Sequence, residues 1–278
     1  MKDAECIAFL QWALPQINLR WAGFRKVRRQ VCKRIARRLD QLGLADLDAY
    51  RARLAIDPAE WSALDAMCRV TISRFYRDRG VFQTLAHAVL PNLADEARAQ
   101  GRDVACWSAG CASGEEVYTL KIIWDAQVSP HHEGAGLTVI GTDVDDAVLE
   151  RARVGCYQRG TLREMPSELI ARCFDVRGDR LCVKERHRRG VSFLSQDIRS
   201  AMPPGPLDII LCRNLVFTYF AESLQERILA GIATRLRRGG YLVIGAHENL
   251  PETALQFSPL PECRQILRYS AGGLPFNR

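Results

Sequence analysis

Val104-Ala105-Cys106-Trp107-Ser108-Ala109-Gly110-Cys111-Ala112-Ser113-Gly114-Glu115-Glu116 runs from an apolar stretch into a glycine-rich turn and then into residues suited to a helix. Glycine admits conformations that a Cβ forbids, and the start of a helix has unpaired N–H groups. Such a passage therefore leaves backbone donors beside a close-approach cleft. The next apolar stretch, Leu137-Thr138-Val139-Ile140-Gly141-Thr142, ends on Asp143. An acid at the tip of the second strand of a βαβ unit is placed to grip a ribose hydroxyl pair. Together the two features point to a nucleoside cofactor. They do not point to NAD, because the G-x-G-x-x-G spacing is missing, nor to a nucleoside triphosphate, because there is no G-x-x-x-x-G-K-[ST].

Outward from that turn, strands are expected at 104–108, 137–142, 207–212 and 241–246, with a late strand at 262–269. Helices are expected at 83–99, 115–126, 145–154 and 222–237, with Arg238-Gly239-Gly240 as a helix stop. The alternation predicts a mostly parallel sheet with helices on both faces. It is interrupted between 156 and 197. There Phe174-Asp175-Val176 and Arg180-Leu181-Cys182-Val183 flank a Gly178-Asp179 turn, and Val191-Ser192-Phe193-Leu194 follows. That stretch reads as a small antiparallel insertion. The first eighty residues read as helices only, at 3–15, 23–42, 46–54 and 58–69. Asp57-Pro58-Ala59-Glu60 is a helix start with Asp as N-cap and Pro at the first position. The expected division is a helical, substrate-docking domain over 1–82 and an α/β domain over 83–278.

The chain has 278 residues, 47% of them apolar and 26% charged, in the range of a globular protein with a sizeable core. No apolar run is long enough to cross a bilayer, and Met1-Lys2-Asp3-Ala4-Glu5 lacks a signal-peptide core. A cytoplasmic protein with no membrane insertion is expected. The ten cysteines form no C-x-x-C pair. Cys106, Cys182 and Cys212 lie in apolar runs and read as small buried hydrophobes of a reduced protein. The five histidines show no metal-ligand spacing, so no metal site is expected. The net charge of +7 is uneven: Arg20 to Arg38 holds nine Lys or Arg and no acid. Phe24, Val27, Val31, Ile35 and Leu39 keep helical spacing there, while Arg25, Arg28, Arg29, Lys33, Arg37 and Arg38 cover the other faces. That density favours an anionic partner over a merely solvated face.

These residues resemble the chemotaxis-receptor methyltransferases, the CheR family, over nearly the whole chain and in family order. Arg37-Arg38-Leu39-Asp40-Gln41-Leu42-Gly43-Leu44 closes a basic helix like the family's receptor-facing one. Thr71-Ile72-Ser73-Arg74-Phe75-Tyr76-Arg77-Asp78 is similar to T-N-x-T-x-F-F-R-[ED]. Trp107 to Tyr118 is similar to the cofactor loop W-S-A-G-C-S-T-G-E-E-P-Y-S. Gly141-Thr142-Asp143-Val144-Asp145, Cys212-Arg213-Asn214 and Ala246-His247-Glu248-Asn249 resemble the S-D-I-D, C-R-N and H-S-E-N signatures. Thr71 stands where the family has Asn, and Val117 where it has Pro. The segment Leu215-Val216-Phe217-Thr218-Tyr219-Phe220 is one residue longer than the family's V-x-I-Y-F.

The resemblance implies a Rossmann-like class I methyltransferase sheet carrying an N-terminal helical domain and a small β insertion. It implies S-adenosyl-L-methionine as cofactor, S-adenosyl-L-homocysteine as product, and methyl transfer to glutamate carboxylates of a chemoreceptor-like protein. It further implies cofactor contacts from Thr71, Ser73, Arg77, Gly110, Glu116, Asp143, Asp197, Ile198, Arg213 and Asn214, and catalytic roles for Arg77 and Tyr219. Glu115 is left with a structural role, and Asp145 is better placed than Asp143 to cap the next helix. The alternative for Arg77 is a surface ion pair with Asp78 or Asp65. Glutamate-rich receptor helices are the expected partner of helix 23–42. A carboxylate acceptor is ionised at neutral pH, its reference pKa being about 4.3, so no general base is needed. Two other readings stay open: a methyltransferase on another protein or on nucleic acid, and a non-catalytic cofactor-binding module. Nucleic acid is disfavoured by the absence of [DN]-P-P-[YF].

Overall fold

The computed structural model describes residues 2–270, so residues 271–278 of the expected α/β domain lie outside the described residues. The chain forms two compact units, Met1–Val70 with Leu215–Gln225, and Thr71–Asn214 with Glu226–Arg278. The boundary thus falls at Val70 and not at residue 82. The reason is local: 71–78 has no regular structure, and Phe75 and Tyr76 give their N–H groups to Thr161 O (3.1 Å) and Thr119 Oγ1 (3.2 Å) of the sheet-bearing unit.

The helical unit comprises α1 (Asp3–Ala13), α2 (Trp21–Phe24), α3 (Arg28–Leu42), α4 (Leu47–Ile56), α5 (Pro58–Cys68) and the short helix Val216–Tyr219. Asp46 and Asp57 cap α4 and α5 by accepting from Ala49 N and Ala59 N, and Gly43, at φ 65°, ends α3. The apolar stripe of α3 (Val31, Ile35, Leu39) is buried. Several of its basic residues serve the fold. Arg38 makes a forked pair with Glu60 (2.9 and 2.7 Å), which also accepts from Tyr50 OH (2.7 Å). Arg28 pairs with Asp3, and Arg34 donates to the Met67 and Arg69 carbonyls.

In the other unit, α6 (Arg79–Thr84), a π-helical turn and α7 (Leu90–Ala99) precede the first strand. The strands are β1 (Val104–Ala109), β2 (Leu137–Asp143), β3 (Cys156–Gln158), β4 (Phe174–Arg177), β5 (Arg180–Val183), β6 (Val191–Ser195), β7 (Leu207–Leu211), β8 (Leu236–Val243), β9 (Phe257–Leu260) and β10 (Cys263–Tyr269). Between them lie α8 (Glu115–Ile123), α9 (Asp146–Val154), α10 (Ser167–Cys173) and, from residue 226 on, the helix Glu222–Ala233. Among the described residues the main sheet runs β6-β2-β1-β7-β8-β10-β9, parallel from β6 to β8, with β10 antiparallel to both neighbours. This is a doubly wound, mostly parallel sheet, as the strand–helix alternation and the resemblance implied. The chain winds outward from β1 through β2 to β6 and then returns to β7, so the strand order reverses between β1 and β7. Trp107, Tyr118, Trp124, Phe75 and Phe82 fill the core.

Three further expectations are corrected, and one strand is new. Val191–Ser195 does not join the insertion but pairs in parallel with β2 as β6. Gly190 makes this possible, since a Cβ there would lie 2.7 Å from Leu137 O. The insertion is the three-stranded sheet β3-β5-β4. Gly239-Gly240 is not a helix stop: the helix ends at Ala233, and the glycines lie inside β8 at an irregularity in its pairing with β7. Gly239 has φ 84°, and a Cβ on Gly240 would meet Asp208 O at 2.9 Å, the close backbone approach that glycine serves in strands. β9 was not expected at all. Finally, the all-thiol reading fails at four positions, where Cys6 bonds Cys32, and Cys156 bonds Cys182 across the β3–β5 pair. Cys106 and Cys212 are buried and outside any disulfide, as expected.

Candidate active site

The carboxyl ends of β1, β2 and β7 meet at the point where the strand order reverses, the place where open α/β sheets bind ligands. The turn after β1 holds Gly110, Ala112 and Gly114 at φ 68°, 47° and 84°. Gly114 tolerates no Cβ, which would lie 2.9 Å from Ala152 Cβ and 3.0 Å from the Phe193 ring. Two side chains brace this turn: Asp143 Oδ2 accepts from Ala112 N (3.0 Å), and Tyr157 OH donates to Ser113 O (2.6 Å). Asp143 Oδ1 accepts from Asp145 N (3.1 Å). Burial raises the Asp143 carboxyl above the usual range, against the backbone N–H groups that lower it. Asp145 caps α9 through Ala147 N (2.9 Å), as its position suggested.

Glu116, in the first turn of α8, accepts from Ser108 Oγ (2.8 Å) and from Arg213 Nη1 (2.7 Å). It thereby ties the end of β1 to the turn after β7. Arg213 gives both terminal nitrogens to the protein itself, while its buried Nε has no hydrogen-bond partner among the described residues. Its side chain is 3% exposed, and Nη2 donates to Asp78 Oδ2 (2.6 Å) and Arg77 O (2.8 Å). The guanidinium lies over the Phe82 ring, 5.2 Å from its centroid. Asn214 sits at φ 55°, and its N–H goes to Glu248 Oε2 (2.8 Å), which also takes Gly245 N (2.6 Å). Glu248 belongs to the Ala246-His247-Glu248-Asn249 stretch. Its work is to hold the turns after β7 and β8 together, which a carboxylate with two backbone donors does well.

Ser73 hydrogen-bonds Glu115, whose burial raises its carboxyl above the usual range. Asp197 is gripped by Arg199 Nε (2.9 Å) and Nη2 (2.7 Å). Ile198 is buried and Thr71 half-buried. Arg77 donates from Nη1 to Ile72 O (3.1 Å), and Asp78 pairs with Arg213. Thr71 to Arg77 and the other expected cofactor residues therefore all belong to the sheet-bearing unit. Tyr219 belongs to the helical one, where its ring centroid lies 5.0 Å from that of Phe24 and its carbonyl accepts from Arg20 N (2.8 Å).

Three buried acceptors of this unit, Glu115 Oε2, Gln127 Oε1 and Gln196 Oε1, have no hydrogen-bond partner among the described residues, and the first and last belong to segments beside the turn. Gln196 follows Ser195, the register partner of Asp143, and Glu115 opens α8 directly after the glycine turn. Orphaned acceptors flanking a carboxylate-braced glycine turn fit a ligand rich in donors, with amino and hydroxyl groups.

Residues 71–266 match the family model for the S-adenosylmethionine-binding domain of CheR methyltransferases. This chain belongs to the CheR methyltransferase family. The CheR domain's cofactor, S-adenosylmethionine, carries an ammonium group, an adenine amine and two ribose hydroxyls, the donor set this edge of the sheet suits. The chain is 33% identical over 240 residues to the chemotaxis protein methyltransferase of Klebsiella aerogenes, covering 83% of this chain and 78% of that one. It is 31% identical over 185 residues to that of Listeria monocytogenes, covering 66% and 68%. It is also 31% identical over 236 residues to an uncharacterized 104.1 kDa protein of Rhodobacter capsulatus, covering 85% of this chain but only 25% of that protein. Among the described residues no helix is long and apolar enough to cross a membrane, and no His/Cys/Asp/Glu group could hold a metal ion.

Proposed function

We propose that this chain transfers a methyl group from S-adenosylmethionine to glutamate side chains of a chemoreceptor-like protein in the cytoplasm, forming methyl esters. The observation that carries the reading is the turn after β1, braced by Asp143 and linked through Glu116 to Arg213, inside a match to the CheR domain that spans 71–266. When bound, the cofactor supplies a methyl group activated by its positive sulfur. Asp143 would hold the ribose hydroxyls, and the N–H groups at the start of α8 would hold the cofactor's carboxylate. An ionised glutamate needs no base, so the protein's remaining task is alignment and exclusion of water. Alignment alone can supply roughly 7–11 kcal/mol. Arg77 is suited to orient the acceptor carboxylate by a forked contact. The resemblance gives Tyr219 a part in the same task.

The helical unit supports the choice of partner. Once the cations used by the fold are set aside, Arg25, Lys26, Arg29, Lys33 and Arg37 are exposed. Four of them recur at every fourth residue, a ridge along one side of α3 and the turn before it. Such a ridge suits a glutamate-rich helix, with complementarity setting the encounter rate and its salt dependence.

Methyl-labelled S-adenosylmethionine incubated with a receptor cytoplasmic fragment tests the reading. The expected label is released as methanol by alkali, which marks an ester. A label stable to alkali contradicts a carboxylate acceptor. In the same assay Lys33→Glu/Arg37→Glu is expected to raise the receptor KM about tenfold at low salt and less at high salt, as screened surface charges do. An unchanged KM removes α3 from the docking surface.

A further inference from the structure

We infer that Asp78 is a positioning residue for Arg77, acting through Arg213. The inference rests on the reading of Arg77 as the residue that orients the acceptor. Arg77 is flanked by two non-glycine residues in the left-handed region, Tyr76 at φ 57° and Asp78 at φ 62°. Such conformations are uncommon outside glycine and persist only where the surroundings over-determine them. Upstream the constraints are plain. Phe75 is wholly buried, edge-on to Tyr157 (centroids 4.8 Å apart) and Phe174 (5.4 Å), and the N–H groups of Phe75 and Tyr76 are both bound.

Downstream, the Asp78 carbonyl accepts from Val81 N (2.9 Å), and the side chain that holds the Arg77–Asp78 pair is Arg213. Its Nη2 holds both the Arg77 carbonyl and the Asp78 carboxylate, while Nη1 holds Glu116. Asp78 stands at the start of α6, yet its side chain makes no capping bond. The carboxylate that would ordinarily serve the helix is turned to Arg213 instead. Asp78 and Glu116 together fix the guanidinium, and the guanidinium fixes the peptide from which the Arg77 side chain departs. A displacement of about 1 Å at such a group can cost a hundredfold in rate.

A double-mutant cycle tests this, with kcat for methyl transfer, S-adenosylhomocysteine affinity by calorimetry, and amide exchange of residues 75–78 as readouts. Asp78→Ala is expected to lower kcat roughly 10–100-fold and to speed exchange in that segment. Asp78→Glu should restore kcat to within about threefold, since it returns the carboxylate. In an Arg77→Ala background, Asp78→Ala should lower kcat no further, because the only route by which Asp78 acts is gone. Asp78→Asn keeps the shape without the charge and carries the same expectations should the alanine variant fold poorly. An equal further loss in the Arg77→Ala background overturns the inference and leaves the reading of Arg77 standing. Wild-type turnover in Arg77→Ala overturns both.

Discussion

Asp143→Ala is expected to abolish S-adenosylhomocysteine binding in titration calorimetry at concentrations that saturate the native chain. The change removes a carboxylate that accepts from Ala112 N and Asp145 N and so holds the glycine turn against the tip of β2. It also removes the acceptor proposed for the ribose hydroxyls. Hydrogen bonds to a charged acceptor are worth about 1.5–3 kcal/mol each, so losing two of them alone costs roughly two orders of magnitude or more. Acidification should act in the same direction. Ribose hydroxyls donate to the ionised form, and burial raises the Asp143 carboxyl, so affinity falls at a pH above the ordinary aspartate range near 3.9. The effect of this group on stability has the opposite sign. A carboxyl raised on folding binds its proton more tightly in the native state, so its contribution to stability grows as pH falls through that window. Affinity and stability moving apart on acidification would single out Asp143. Unchanged affinity in Asp143→Ala removes it from the cofactor site.

Arg213→Met is expected to produce the largest combined loss of stability and turnover. It leaves the carboxylates of Glu116 and Asp78 without their shared cation in a site where the arginine itself is 3% exposed. Breaking a buried pair from one side typically costs about 3–5 kcal/mol. The two acids, 14% and 30% exposed, recover part of that through water, so about 2–3 kcal/mol in urea denaturation is the expected result. Arg213→Lys should not rescue turnover. One ammonium group cannot reproduce a fork that reaches Glu116 with one nitrogen and Asp78 and the Arg77 carbonyl with the other. Native stability and turnover in Arg213→Lys would show that the fork geometry is unimportant.

Much of this site was legible before any coordinates. β1, β2 and β7 are short apolar runs ending in glycine, acid or C-R-N, and their length and flanking turn residues mark them as buried strands. Asp57 and Asp145 are placed as caps by the residues that follow them. The misses have physical reasons. Val191–Ser195 is a short, largely exposed edge strand, so it carries too little apolar pattern to announce its sheet. Gly239-Gly240 is ambiguous locally, since a helix stop and a strand irregularity ask for the same residue. Cys156 and Cys182 are 26 residues apart, and only the β3–β5 pairing brings them together. Arg213 was expected to touch the cofactor because its motif marks the site. Which of its neighbours take its donors is a matter of three dimensions: Nη1 goes to Glu116, and Nη2 to Asp78 and the Arg77 carbonyl.

The most direct measurement is a crystal structure of the chain grown with S-adenosylhomocysteine. The account predicts the ligand at the carboxyl ends of β1, β2 and β7, its ribose on Asp143 and its amino-acid end along the Gly110–Gly114 turn. A ligand bound elsewhere, or with its ribose turned away from Asp143, would contradict it.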